Sequence, residues 1–85
     1  MKLPVIKHIQ DFIENHDQDY VQEAIELLEH ISNYRSIKDE ELDVIGELIS
    51  NMYGAIEVNQ EIKKGTDKKI ALNNFMKRVV NSIDN

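Results

Sequence analysis

This 85-residue chain predicts an all-α fold, a four-helix antiparallel bundle with a long third helix. Apolar residues recur at three- and four-residue intervals in four separate segments. No stretch alternates apolar with polar residues as a half-buried strand does. The connections are short, polar and supplied with capping residues, and loops of about two to six residues make neighbouring helices double back. Residues 1–85 therefore read as one domain, near the lower limit of what folds alone. Cysteine is absent, so no disulfide or thiolate chemistry is available. A chain this small then needs efficient packing or a partner subunit.

Pro4 suits the first turn of helix 1, where its missing N–H costs nothing. Val5, Ile6, Ile9, Phe12 and Ile13 repeat at helical spacing as far as Asn15, where Asn15, His16 and Asp17 break the pattern. Asp19 reads as the N-cap of helix 2, with Gln22 closing a capping box. Tyr20, Val21, Ala24, Ile25, Leu28 and Ile31 form its buried face, with Leu27 beside them. Ser36 followed by Asp39 reads as the capped start of helix 3, which runs from about Ile37 to Lys64. Four acids follow that start, Asp39, Glu40, Glu41 and Asp43, and they oppose the positive end of the helix dipole. Lysines in the last turn and Gly65 beyond it mark the end. Thr66 or Asp67 caps helix 4, whose stripe is Leu72, Phe75, Met76, Val79, Val80 and Ile83, with fraying expected from Ser82 to Asn85.

Helix 3 is out of proportion to the rest. Its apolar residues spread over far more arc than the roughly 100° stripe of an ordinary surface helix. It should sit centrally among its neighbours, and it should either overhang them or bend. Its polar side carries Gly46, Ser50 and Gly54, four residues apart. Two internal glycines cost about 1 kcal/mol each. Close packing of another backbone, a break near Gly54, and simple tolerance in solvent are the three accounts open. With Met52 and Tyr53, these residues make the best interface candidate: Gly46, Ser50, Met52, Tyr53 and Gly54.

Charge and motif content narrow the function classes. The net charge of −6 is uneven: residues 1–61 sum to −10 and residues 62–85 to +4. Nucleic-acid binding needs a dominant basic face, and only the C-terminal end offers one, so no nucleic-acid partner is expected. No apolar run reaches the roughly 20 residues needed to cross a bilayer, and the start lacks the apolar core of a signal peptide; a cytoplasmic protein is expected. The nearest approach to a di-metal helical motif is Glu26 with His30, accompanied by Glu23 and by His8 with Asp11. The spacing of Glu26 and His30 is four, where Glu-x-x-His needs three, so no metal or cofactor is expected. No nucleophile elbow, phosphate loop or Cys–His pair is present, so the chain is not expected to be an enzyme.

The run from Asp39 to Glu57 and the opening Met1 to Lys7 resemble a family of small uncharacterised all-helical bacterial proteins, over essentially the whole chain. The resemblance implies no activity and assigns no catalytic residue. It implies proximity to thiol peroxidase and thioredoxin-type genes, hence a partner role in redox defence as a binder, since the chain has no thiol. The expected function is a small helical protein-interaction module, a homodimer formed through helix 3 or the partner of another protein. The alternatives are a metal- or small-ligand-binding bundle and an acidic regulator of another protein.

Overall fold

The computed structural model describes the backbone of residues 2–84 and the side chains of residues 2–80. Four helices follow one another: α1 Leu3–Asn15, α2 Gln18–Ser32, α3 Asp39–Lys63 and α4 Lys68–Asp84. No strand occurs among the described residues, and the third helix is the longest, as the sequence predicts. Asn85, the end of the expected frayed terminus, lies outside the described residues, as does the side chain of Ile83.

The helix ends show local chemistry at work, with two corrections. Asp17, not Asp19, caps α2: its carboxylate accepts from the Asp19 N–H at 3.1 Å. Helix α3 begins at Asp39 rather than Ile37, because a turn closed by Ile37 N–H to the Tyr34 carbonyl occupies the preceding residues. Its N-cap is Lys38, not Ser36. The lysine side chain offers no acceptor there, and Glu41 instead reaches back to accept from the Lys38 N–H at 3.0 Å. At the other end Gly65 has φ +106°, a left-handed conformation that costs glycine little. It lets Gly65 N–H bond the Ile62 carbonyl and Thr66 N–H bond the Glu61 carbonyl, the paired closure of a Schellman motif. Asp67 starts α4 by accepting from Lys69 N–H at 3.1 Å.

Helix α3 is the hub. It packs against α1, α2 and α4, and α1 also meets α4, whereas neither α1 nor α4 packs along α2. Residue pairs give the directions. Lys2 meets Asn51 and Gln10 meets Asn59, so α1 runs the same way as α3. Gln18 meets Asn59 and Glu29 meets Tyr53, so α2 runs against it. The molecule is flat, 43 × 34 × 17 Å, with a radius of gyration of 13.8 Å, against about 12 Å for a compact domain of this length.

The core lies around the C-terminal half of α3. Ala55, Ile56 and Val58 are buried with Ile6, Ile13, Val21, Ile25, Ala71, Leu72 and Phe75. Three amides share this interior: Gln10, Asn51 and Asn59. Asn51 Oδ1 accepts from the Lys2 backbone N–H. Asn59 accepts from Gln10 Nε2 at 3.1 Å and donates to Gln18 Oε1 at 2.7 Å, tying three helices together. Buried amides are tolerated when paired, and Gln10 Oε1 alone among them has no protein partner.

Several residues expected in apolar stripes face outward. Tyr20, Phe12 and Val80 are exposed, and so is Leu27. With no helix packed along the α1 side of α2, the outer edge of its expected apolar face has nothing to cover it.

Candidate functional site

The N-terminal half of α3 carries the most unusual surface. Not one residue from Asp39 to Ser50 is buried, although Leu42, Val44, Ile45, Leu48 and Ile49 lie there. Val44 is 62% exposed and Leu48 39%. The cause is length. A 25-residue helix spans about 37 Å, while α1 starts level with Asn51, so this half projects beyond the end of α1. A notch of about 390 Å³ opens where α1 stops, lined by Lys2, Val5, Asp43, Val44, Glu47, Leu48 and Asn51. The turn after α2 exposes Tyr34 (64%), and α2 itself exposes Leu27 (60%).

The electrostatics of the projecting half are one-sided. Asp39, Glu40, Glu41, Asp43 and Glu47 fall within its first nine residues, and no base occurs in α3 before Lys63. The acids of the first turn complement the helix dipole, and beyond that they leave an acidic, half-apolar tip.

The five interface candidates separate in space. Gly54 is buried, and a Cβ there would lie 2.9 Å from Phe75 Cζ and 3.1 Å from Ile6 Cδ1. Its missing side chain therefore admits Phe75 and Ile6 of the same chain, not the backbone of another. Helix α3 is continuous through it, which removes the break. A Cβ at Gly46 would meet nothing within 4 Å, and this glycine is simply tolerated on the projecting half. Ser50 is half-buried, at the boundary between projecting and packed halves. Tyr53 is exposed and its hydroxyl donates to Glu29 Oε1 at 3.3 Å. Partial desolvation, and then the charge of Glu29, push its phenol above the ordinary value.

Met52 belongs to a different feature. Because α1 and α2 do not pack along each other, a groove of about 390 Å³ opens between them, floored by Met52 and walled by Ile9, Phe12, Tyr20, Val21 and Ala24, with His8 at its edge. Three rings close one end: Phe12 and His16 stack at 4.1 Å, and Tyr20 meets both edge-on. The spacing of Phe12, His16 and Tyr20 by four residues carried this signal, hidden by the helix break between them. Glu26 and His30 are exposed on α2, and no cluster of three or more metal-binding side chains occurs among the described residues. No described helix is long and apolar enough to cross a membrane.

A family model described as a family of unknown function (DUF6952) matches residues 1–84. The chain belongs to this family. The match spans the hub helix and all three helices around it, so the projecting half of α3 lies within the family domain. No curated protein and no solved structure matches the chain.

Proposed function

We propose that this member of the family is a small protein-interaction module that associates with a second copy of itself through the projecting half of α3. The observation that carries the reading is the stretch Asp39–Ser50, where Leu42, Val44 and Leu48 are exposed while Ile49 alone of its large apolar residues packs against the core. The total surface supports it. A compact monomer of 9.9 kDa exposes about 5,200 Å², whereas this chain exposes 6124 Å². The excess, about 900 Å², is close to the roughly 800 Å² that each partner loses in a standard interface.

Sedimentation equilibrium of the full chain over a wide concentration range tests this. The wild type should pass from monomer to dimer. Val44→Ser with Leu48→Ser should stay monomeric at concentrations where the wild type is dimeric, with helicity unchanged, because both residues lie outside the core. A wild type that is monomeric throughout, or a variant that dimerises as well as wild type, would sink the reading.

A second reading rests on the α1–α2 groove, whose volume and apolar walls fall within the range of small-molecule sites. It requires an apolar ligand to raise the melting temperature of the wild type and not of Met52→Lys.

A further inference from the structure

The acidic tip of α3 cannot pair comfortably with another acidic tip, because carboxylates facing carboxylates repel. Its counter-surface must be basic and half-apolar. The chain itself carries one. On α4, Ile70, Asn73, Lys77 and Val80 follow the i, i+3, i+7, i+10 spacing of one helix face. All four are exposed, with Ile70 at 53% and Val80 at 48%. Lys69 flanks them. This face points away from Phe75 and Leu72, which α4 buries. The other two cations of the helix are engaged within the chain: Lys68 with Asp11 and Glu14, and Arg78 with Glu57. Lys69 and Lys77 are thus the charges that this face offers outward.

We propose that the dimer is reciprocal: the acidic tip of α3 in each protomer lies along the Ile70–Lys77–Val80 face of α4 in its partner. This rests on the self-association proposed above and names the surface that receives α3. A two-fold axis requires that if the tip of one protomer meets α4 of the other, the converse contact also forms. The arrangement covers Val44 and Leu48 with Ile70 and Val80. It also sets Glu40 and Asp43 near Lys69 and Lys77, in two symmetry-related copies. The acidic tip and the outward lysines of α4 then offset each other's charge across the interface.

The test is a charge swap read by sedimentation equilibrium at low and high salt. Lys69→Glu with Lys77→Glu should weaken the dimer by about tenfold or more, since the reversed pairs occur twice. Glu40→Lys with Asp43→Lys should weaken it similarly. That second variant brings the net charge of −6 nearer to zero, so general repulsion alone would tighten the dimer instead. The chain carrying all four substitutions keeps the wild-type net charge and should recover dimerisation. Added salt should weaken the wild-type dimer. Circular dichroism of each variant excludes loss of fold. A wild-type dimer indifferent to both reversals would overturn the reciprocal α3–α4 contact while leaving self-association standing. Open-ended growth into filaments would overturn the two-fold closure. A wild type that never dimerises would overturn self-association and this contact together.

Discussion

Gly46 and Gly54 sit on one helix, and alanine at each removes the same backbone entropy penalty, worth about 1 kcal/mol. Their surroundings make the outcomes diverge. At Gly46 a methyl group meets nothing within 4 Å, so Gly46→Ala should stabilise the chain by roughly 0.5–1 kcal/mol. At Gly54 the methyl would lie 2.9 and 3.0 Å from the Phe75 ring and 3.1 Å from Ile6 Cδ1. Phe75 and Ile6 are both buried, so neither can swing into solvent to make room. Overpacking of this kind costs about 1–3 kcal/mol. Set against the helix gain, it leaves Gly54→Ala between neutral and about 2 kcal/mol less stable. For a domain of this size each kcal/mol moves the melting temperature by about 4–8 °C. Urea and thermal unfolding followed by circular dichroism give the comparison, at one protein concentration because self-association would shift the midpoint. Phe75→Leu in the Gly54→Ala background should show favourable coupling, because a smaller side chain relieves the clash. If Gly54→Ala stabilises as much as Gly46→Ala, or if the double substitution is strictly additive, the close-packing account of Gly54 is wrong.

Two further outcomes follow from the polar contacts. Lys68 lies 2.9 Å from Asp11 and 2.8 Å from Glu14, and its hydrogen bond holds the Asp11 carboxyl below the ordinary value, while Glu14 and then Asp11 raise the lysine. The Asp11 contribution is therefore present above the ordinary carboxylate range and lost as pH falls through the lowered value. The Lys68 contribution is present below the ordinary lysine range and lost as pH rises through the raised one. In Lys68→Met the Asp11 midpoint, followed by carboxyl NMR, should move up; an unchanged midpoint would contradict the contact. In the core, Asn59→Ala leaves buried Gln10 without its acceptor and should cost about 1–3 kcal/mol. The double substitution Gln10→Met with Asn59→Leu should recover much of that loss, and a double variant no more stable than Asn59→Ala would refute the amide pairing.

The local grammar of the chain is legible in its residues alone. Four helices, the glycine stop at Gly65 and the overhang of helix 3 follow from periodicity, capping residues and length. What cannot be read that way depends on neighbours distant in sequence. Gln10, Asn51 and Asn59 look like surface residues in any window of one helix, because the groups that satisfy them lie on other helices. Gly54 reads as part of a polar outer face because the Phe75 ring that fills its space is contributed by α4. The caps Asp17 and Lys38 are each displaced by two residues from the expected positions: where two candidate acceptors or turns compete, the loop geometry chooses. Leu42 and Leu48 lie on the broad apolar arc of helix 3, yet both stay exposed, because α1 starts only level with Asn51.

The alignment of α1 with the C-terminal half of α3 has a consequence for synthesis. The Lys2–Asn51 and Gln10–Asn59 contacts each close a loop of 49 positions, and Ile6 between them is buried beside Gly54. During translation the first helix therefore leaves the ribosome with its apolar face uncovered and must wait until the residues from Asn51 to Asn59 have been made. Only then does its docking track exist. Docking of α1 accordingly lags its own synthesis by those 49 positions, and that interval is when a nascent copy is most open to capture by chaperones or by its own kind.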